Sequence, residues 1–216
     1  MHRVLFLFSL ISLLAAVVLR KLNGDRVLHK LRDTKLTITA EELANKMLAA
    51  VDEDDVEVKT PARLWQAAAD LGPQWLSLPQ EVAKGVSAHS HGIAALKVGL
   101  YILSKRKPKL IARRRWAIRF GHVFPIFTTM VTVFALVVTR FGALWALAAI
   151  LASCGLAAWS QLAALTTERE AAELATVVLE KKRIFPRLSD EEAIVSATRA
   201  HAWRSILPGI LSRLVP

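Results

Sequence analysis

FPIFTTMVTVFALVVTRFGALWALAAILASCGLAAWSQLAAL, residues Phe124 to Leu165, contains a single charged side chain, Arg140. Arg140 and Gly142 interrupt two apolar runs, Phe124–Thr139 and Phe141–Leu165. A soluble helical hairpin is the alternative, but neither run has polar residues at helical spacing, which a helix with one face in water requires. The sequence therefore predicts a transmembrane hairpin over residues 124–165, with two spans joined by a tight turn.

A third apolar run, Val4–Leu19, lies between His2-Arg3 and Arg20-Lys21. At ~1.5 Å per residue a helix of this length is slightly short for a ~30 Å hydrocarbon core, but flanking arginines reach the interface by snorkelling. A cleaved signal peptide also combines charge with an apolar run, yet no small-x-small cleavage site precedes Arg20. The sequence favours an N-terminal transmembrane anchor over residues 1–22.

Outside these runs the chain is strongly basic. Its 216 residues carry 29 Lys and Arg against 18 Asp and Glu, a formal net charge of +11, although 54% of the residues are hydrophobic. The apolar content excludes a disordered basic tail, and the single cysteine, Cys154, excludes a disulfide scaffold. Segregation reconciles the two properties, with apolar residues in bilayer-spanning helices and basic residues at a membrane surface.

The distribution of basic residues predicts the topology. The segments after the first and third spans carry many Lys and Arg, whereas only Arg3 and Arg140 lie on the opposite side. By the positive-inside rule both hydrophilic segments are cytoplasmic and the N-terminus is outside. We therefore expect a multi-pass protein of the inner (cytoplasmic) membrane of a bacterium.

The hydrophilic segments 23–123 and 166–216 predict a small cytoplasmic α+β body. Thr37 or Thr39 caps a helix through Val51, because Glu42 lies at the capping-box spacing from Thr39. Alternation predicts two short strands that pair, and apolar spacing predicts further helices. The strands are Val56–Val58 and Trp75–Leu78, and the helices are Gln80–Leu103, Glu168–Leu179 and Asp190–Trp203 with Ser189 as N-cap. The fold class is a mainly α integral membrane protein with about three transmembrane helices.

Four segments of this body share their order and spacing with a known family. They are Thr39–Ala44 with Val56–Val58, Leu76–Val82 with Gly85 and Ser87, Leu162–Ala171, and Ser189–Ser205. Over roughly Leu36 to the C-terminus, the chain resembles the YugP-type family of neutral zinc metallopeptidases, which are membrane proteins. The resemblance implies a metallopeptidase-like architecture for the cytoplasmic body.

Such an enzyme needs His-Glu-x-x-His on a helix, because histidines at i and i+4 bind zinc from one face while the glutamate acts as general base. The resemblance places the family's His-Glu-x-Gly-His on Leu96-Lys97-Val98-Gly99-Leu100. Both histidine ligands are then leucine, at Leu96 and Leu100, the base is Lys97, and Glu168 stands at the third ligand's position. One carboxylate does not hold a catalytic zinc, so we expect no metal, no other cofactor and no hydrolysis by this mechanism.

Two further interpretations concern the polar residues near this site. A rebuilt zinc site would use His89, His91, His122 or Glu168, although histidines two residues apart on a helix point to opposite faces. Helix-start or surface positions are the commoner explanation for these histidines. Alternatively, Lys97 and Glu168 form a salt bridge in which the ammonium replaces the zinc.

Residues 105–119, which we call the basic segment, contain eight basic residues and no acidic ones. On an anionic leaflet each charge contributes on the order of 1 kcal/mol, and a tryptophan sits at headgroup depth. An ordinary positive-inside flank and a docking surface for an acidic partner are the alternatives, and nothing resembles a base-reading module, so no nucleic acid is expected. The predicted lipid- or partner-binding residues are Lys105, Arg106, Lys107, Lys109, Arg113, Arg114, Arg115, Trp116 and Arg119.

These features predict a catalytically inactive, metallopeptidase-like membrane protein that acts as a structural or accessory subunit of a larger membrane protein complex. Its expected partners are other membrane protein subunits and anionic phospholipids. Trp65, Trp75, Trp203 and Ile206–Val215 are candidate contact residues, since large aromatics are enriched at interfaces, although core packing explains them equally well. The alternatives are a zinc metallopeptidase with a rebuilt site and a lipid-binding, membrane-organising protein that acts through the basic segment.

Overall fold

The computed structural model describes residues 2–53, 55–60, 71–139 and 142–207, and over these it is mostly helical with a small sheet. The elements in chain order are α1 (His2–Arg20), a π-helical turn (Lys21–Asp25), α2 (Arg26–Lys30), α3 (Ala40–Ala49), β1 (Glu57–Lys59), β2 (Trp75–Ser77), α4 (Gln80–Ala83), α5 (Ala88–Arg106), α6 (Pro108–Thr139), α7 (Ala143–Lys182) and α8 (Leu188–Arg204).

The chain divides into two compact units. The first, here called the apolar unit, comprises Met1–Lys21, Ala112–Thr166 and Ser205–Pro216. The second, here called the mixed unit, comprises Leu22–Ile111 and Thr167–Arg204 and contains the sheet. Helices α6 and α7 each contribute residues to both units.

Two helices of the described residues are long and apolar enough to cross a membrane, α6 over Pro108–Val138 and α7. Many of their large apolar side chains face outward, as Val137 (77% exposed) and Leu144 (84% exposed) illustrate. The two predicted spans therefore coincide with parts of these helices. The N-terminal run forms α1, but α1 is not one of these two helices, so its span stays a prediction.

Small residues bring α1 and α7 close together within the apolar unit. A Cβ added at Gly155 would lie 2.7 Å from Cα of Ser9, so only a residue without a side chain permits this approach. Ser9 itself is 2% exposed. Close approach through glycine and serine is typical of helix packing in a membrane.

In the mixed unit, α5 forms the centre of the hydrophobic core. Val98, Leu100 and Tyr101 are almost fully buried, and α3, β2 and α8 pack around the helix. The Tyr101 hydroxyl donates a hydrogen bond to the Pro73 carbonyl at 3.0 Å, which satisfies the polar end of a buried ring. The core thus fixes the helix on which the resemblance places the metal-site positions.

The capping box predicted at Thr39 is confirmed. Thr39 Oγ1 accepts a hydrogen bond from the Glu42 amide at 3.2 Å, and a Glu42 carboxylate oxygen accepts one from the Thr39 amide at 3.2 Å. This reciprocal pair satisfies two amides that the first turn of α3 would otherwise leave unpaired. The helix ends at Ala49, two residues before Val51.

The predicted pairing of the two strands is also confirmed. β1 and β2 lie parallel, with Val58 opposite Leu76. β1 begins at Glu57, one residue later than predicted, and β2 ends at Ser77. Most of the chain between the two strands lies outside the described residues.

The prediction of one helix over Gln80–Leu103 is wrong. The short helix α4 ends at Ala83, and α5 starts anew at Ala88. Ser87 is the N-cap of α5, because its hydroxyl accepts a hydrogen bond from the Ser90 amide at 3.3 Å. A capping serine two residues after Gly85 therefore starts a second helix.

Two other predicted helix boundaries are also corrected. Glu168–Leu179 is not a separate helix but part of α7, because no glycine or proline follows Gly155 until after Lys182 to end it. Helix α8 begins at Leu188, so Ser189 lies in its first turn and is not the N-cap. The amides of Asp190 and Glu191 instead donate to the carbonyl of Arg187.

Candidate functional site

The two positions predicted for lost histidine ligands are apolar core positions. Leu96 (9% exposed) and Leu100 (1% exposed) lie one turn apart on α5 and belong to the main hydrophobic cluster. Ala171 and Ala172 of α7 belong to the same cluster. Hydrocarbon thus fills this part of the interface between α5 and the mixed-unit part of α7.

Gly99 lets these two helices approach each other closely. A Cβ at this position would overlap the carbonyl oxygen of Ala171 and lie 2.9 Å from its carbonyl carbon. The obstacle is backbone, which cannot rotate away as a side chain does. The glycine that matches the family pattern therefore has a packing role in this chain.

Lys97 and Glu168 differ sharply in their exposure. Lys97 is half-buried on α5, whereas Glu168 of α7 is 2% exposed. Both residues interact with other groups of the protein. Their mutual salt bridge stays a prediction.

His91 lies in the first turn of α5, as the helix-start expectation has it, but it is fully buried, so a surface position is wrong for this residue. Its Nδ1 lies 2.8 Å from the carbonyl oxygen of Ser87, and its ring packs edge-on against Phe185 at 6.3 Å between centroids. Burial lowers the pKa of His91, and the nearby Ser87 and Ile38 carbonyls and the Glu42 carboxylate oppose this effect. His91 is therefore held as a neutral core residue.

His89 pairs with His201, a residue that the sequence reasoning did not single out. Nε2 of His201 donates a hydrogen bond to the carbonyl oxygen of His89 at 3.0 Å, and the two rings meet edge-on at 4.6 Å. Burial, with smaller effects from His89 and Arg204, lowers the pKa of His201 to about 3. Because the partners are far apart in sequence, no local pattern indicates this contact.

The four residues proposed for a rebuilt zinc site do not form a metal-binding group. Over the residues that the structure describes, no three His, Cys, Asp or Glu side chains form a group that could hold a metal ion. His122 is exposed on α6 in the apolar unit, where its Nδ1 lies 2.9 Å from the Ile118 carbonyl oxygen. His91 and Glu168 lie in the mixed unit.

In the mixed unit, part of the basic segment pairs with acidic residues. Lys105 lies 3.7 Å from a carboxylate oxygen of Glu53, and Lys107 lies 2.9 Å from one of Glu170. Both ion pairs are well exposed, so they contribute little to stability. Lys105 and Lys107 are therefore partly compensated within the protein.

The later part of the basic segment lies in the apolar unit. It forms the first turns of the part of α6 that belongs to this unit. Arg113 donates hydrogen bonds to the Ala163 carbonyl at 3.3 Å and to the Thr166 hydroxyl at 3.0 Å. Arg114 is only 6% exposed, so its guanidinium is not part of the exposed surface. Trp116 is 61% exposed and stacks on Phe120 with 5.0 Å between ring centroids.

The described aromatic residues proposed as partner contacts pack against other residues of this chain. Trp75 is half-buried beside Lys59, whose Nζ lies 5.6 Å from the ring centroid, and Arg169 lies 5.6 Å from the ring of the half-buried Trp203. Trp65 and residues 208–215 lie outside the described residues. Ile206 and Leu207 are buried.

The architecture defines a mostly helical protein with two apolar helices of membrane-spanning length and a small mixed unit that carries a two-stranded sheet. The family model described as "Putative neutral zinc metallopeptidase" matches residues 4–203, so the chain belongs to this family. Comparison with curated proteins gives no match. Comparison with solved structures gives none either.

The residues at the predicted metal position do not fit the zinc that the family's description implies. Leu96 and Leu100 offer no lone pair to a cation and are packed against other hydrocarbon. Glu168 is the one ligand-type side chain among the positions that the resemblance assigns to the metal. Zinc sites need at least three protein ligands, so this set of residues does not hold the ion.

Proposed function

We propose that the chain is a catalytically inactive member of the metallopeptidase family that serves as a structural or accessory subunit of a larger membrane protein complex. The observation that carries this proposal is the burial of Leu96 and Leu100 in the core, at the positions assigned to the zinc ligands. In addition, no histidine of the sequence is followed by glutamate, so His-Glu-x-x-His does not occur elsewhere in it. Without a metal site, the fold still keeps its helix packing and its surfaces. Contacts between these surfaces and other subunits are then the basis of its function.

Metal analysis of the purified protein tests the loss of catalysis. The full chain, extracted in mild detergent and supplied with zinc, is expected to bind far less than one zinc per chain and to leave a casein substrate intact. The triple variant L96H/K97E/L100H restores the motif and serves as a comparison for zinc retention. Stoichiometric zinc in the unmodified protein, together with chelator-sensitive hydrolysis, would overturn the proposal.

Co-purification tests the accessory role. A tagged full chain isolated in mild detergent from its native cells should bring down the same membrane subunits in a fixed ratio, as determined by mass spectrometry. An unrelated tagged membrane protein of similar size is the control. Isolation as a homogeneous species without any other subunit would contradict the accessory role.

The membrane location of the proposal is supported by the outward-facing apolar residues of α6 and α7. Phe127, Met130 and Phe134 on α6 are each at least 64% exposed, as are Val137 and, on α7, Leu144. In water such a surface would promote aggregation, whereas lipid chains cover it without cost. Insertion of both helices into a bilayer is therefore part of the proposed function.

A second candidate function is binding of anionic lipid through the basic segment, and the exposure of Trp116 favours it. The exposed Arg119 follows Trp116 by three residues, and the outward-facing apolar surface of α6 begins at Val123. Cations, then an aromatic ring, then hydrocarbon is the order in which a helix meets headgroups, interface and acyl chains.

Reconstitution into vesicles tests this second function. Intrinsic tryptophan fluorescence of the full chain should respond to the fraction of phosphatidylglycerol in phosphatidylcholine vesicles, and W116F and R119Q should reduce the response. R199Q, which removes a cation of the mixed unit paired with Glu173 at 3.3 Å, is the matched control. A response that is independent of anionic lipid would exclude this function.

A further inference from the structure

The cations of the basic segment differ in how far the protein itself engages them. Lys105 and Lys107 each form an ion pair with a glutamate. Arg113 donates hydrogen bonds to two residues of α7, and Arg114 is buried. The segment is therefore not a uniform surface of equivalent charges.

Arg119 is an exposed cation next to the predicted span of α6. Its side chain has no hydrogen bond or ion pair within the described part of the chain. The residue lies five positions before Phe124, where the apolar run begins. Its guanidinium is therefore available to a group from outside the chain.

The position of Arg119 along α6 corresponds to the depth of lipid phosphates. With the predicted span Phe124–Thr139 centred in the bilayer, Val131 lies near the middle of the membrane. Arg119 precedes it by twelve residues, which is about 18 Å of helix. The hydrocarbon core ends about 15 Å from its middle, so the guanidinium reaches the phosphates just beyond that boundary.

A row of stacked rings, here called the aromatic ridge, runs along α6 beside Arg119. Trp116, Phe120 and Phe124 are four residues apart, so they lie on one ridge of the helix. Their ring centroids are 5.0 and 4.7 Å apart, and the planes of neighbouring rings differ by 13° and 14°. Because each ring packs on the next, the aromatic ridge is a preformed wall.

The next ridge of α6 forms a groove with this wall. Arg119, Val123 and Phe127 are also four residues apart, and the last two are each 64% exposed. A phosphate bound at Arg119 places its acyl chain between the aromatic ridge and these two apolar side chains. The order along the helix, a cation followed by hydrocarbon, matches a phospholipid and not a soluble anion.

The charge around Arg119 specifies the kind of phospholipid. The basic segment, which ends at Arg119, contains eight cations and no acidic residue. Such a surface repels the ammonium of a zwitterionic headgroup and attracts a headgroup with a net negative charge. The occupant that fits is therefore an anionic lipid.

We propose that Arg119 binds the phosphate of one anionic phospholipid, whose acyl chain lies in the groove between the aromatic ridge and the ridge of Val123 and Phe127. The inference rests on the second candidate function, binding of anionic lipid, and deepens it by naming a discrete site in place of a diffuse surface charge. The guanidinium donates two hydrogen bonds to phosphate oxygens, a geometry that lysine does not reproduce.

Quenching by brominated lipid tests the site. The full chain is reconstituted in phosphatidylcholine vesicles with increasing fractions of phosphatidylglycerol that carries brominated acyl chains, and quenching of Trp116 is the difference from W116F in the same vesicles. R119Q should raise the phosphatidylglycerol fraction at half-maximal quenching about threefold, and R119K should raise it less, because an ammonium keeps the charge without the paired donors. K109Q, which removes an exposed cation of the mixed unit, is the matched control and should leave this fraction nearly unchanged.

Thermal unfolding in detergent separates a binding role of Arg119 from a structural one. Because the side chain is exposed and has no partner in the described residues, R119Q should unfold at the same temperature as the unmodified protein. A lower unfolding temperature would assign Arg119 a structural role and overturn the proposal.

Three other results would also overturn the proposal. They are equal shifts in R119Q and K109Q, equal quenching of Trp116 by brominated phosphatidylcholine and brominated phosphatidylglycerol, and relief of the quenching by inorganic phosphate, which would define a site for a soluble anion. Equal shifts in the two variants disprove the discrete site while anionic-lipid binding stands. Tryptophan fluorescence that ignores anionic lipid in every variant disproves the second candidate function itself, and the site with it.

Discussion

Gly99 is the residue whose replacement tests the helix packing most directly. Ala favours a helix over Gly by about 1 kcal/mol, so propensity alone would make G99A stabilising. The added Cβ would instead overlap the Ala171 carbonyl oxygen, and no rotamer change of a neighbour relieves a clash with backbone. We expect G99A to lower the free energy of unfolding by about 1–3 kcal/mol or more.

Thermal unfolding in detergent checks this prediction, with G142A as the control. A Cβ at Gly142 would meet only Cδ1 of Trp145, at an ordinary contact distance of 3.7 Å. G142A should therefore leave the unfolding temperature nearly unchanged. Equal unfolding temperatures for G99A and the unmodified protein would show that α5 and α7 do not approach as described.

The predicted Lys97–Glu168 salt bridge is also decided by single residues. If the ammonium has taken the place of the zinc, K97A and K97M should both destabilise the protein, because either leaves a carboxylate that is 2% exposed without its cation. A double-mutant cycle with E168Q should give a coupling on the order of 1 kcal/mol or more.

The Lys107–Glu170 pair provides the matched comparison. Its atoms lie 2.9 Å apart, but the two side chains are 58% and 44% exposed, so we expect a coupling below about 1 kcal/mol for K107M with E170Q. Additive effects of K97M and E168Q would reject the salt bridge. In that case, replacement of the zinc by the Lys97 ammonium would not explain the loss of the zinc ligands.

At the scale of whole elements, predictions succeeded where the signal was local. The capping box at Thr39 and the alternation around Val58 and Leu76 each involve neighbouring residues, and the helix and the strand pair both exist, with boundaries one or two residues from the predicted ones. The helix over Gln80–Leu103 was predicted as one element because its composition is apolar throughout, and the capping role of Ser87 was missed. The contact between His89 and His201 joins α5 to α8, so only the tertiary fold reveals it.

Helix α8 should dock on α5 in a pH-dependent way, because His201 lies in their interface. Gly92 of α5 permits the contact, since a Cβ there would lie 3.0 Å from Cδ2 of His201. The charged or titratable groups that act on His201 are His89 and Arg204, both of which disfavour a proton on the ring, and Arg204 is paired with Asp25 at 3.3 Å. A neutral His201 is thus required in the folded state.

The sign of the pH effect follows from the pKa of His201, which burial lowers from 6.5 to about 3. The unfolded chain binds the proton better than the folded one, so this stabilisation is complete above pH 6.5 and is lost progressively as the pH falls towards 3. Between pH 7.5 and 5.5 the loss amounts to about 1.4 kcal/mol.

Thermal unfolding of the unmodified protein, H201Q and H122Q at both pH values measures this loss. Glutamine keeps an N–H donor but does not titrate, so H201Q should lose roughly 1 kcal/mol less than the unmodified protein on acidification. H122Q, which alters an exposed histidine, should behave like the unmodified protein. The same pH dependence in all three proteins would contradict the role of His201.

At the scale of the whole molecule, the excess of apolar residues and the excess of positive charge lie in different parts of the chain. The exposed apolar side chains concentrate on α1 and on the apolar-unit parts of α6 and α7. The basic segment covers the end of α5 and the beginning of α6. Helix α1 is not among the described helices of membrane-spanning length and hydropathy. The predicted topology therefore depends on whether the chain has two or three spans.

Reporter fusions in a bacterial host determine this number, because an odd number of spans places the two termini on opposite sides of the membrane. With three spans and basic segments inside, a C-terminal green fluorescent protein should be fluorescent, whereas an N-terminal tag should be accessible to antibody on intact spheroplasts. Alkaline phosphatase inserted at Gly142 should be active, since the predicted turn lies outside.

An N-terminal tag that becomes accessible only after lysis, with the other two results unchanged, would reduce the topology to two spans and leave α1 on the cytoplasmic side. Replacing Leu10 and Leu14, both at least 40% exposed on α1, with arginine should then be tolerated, whereas in a three-span protein it should block insertion of α1.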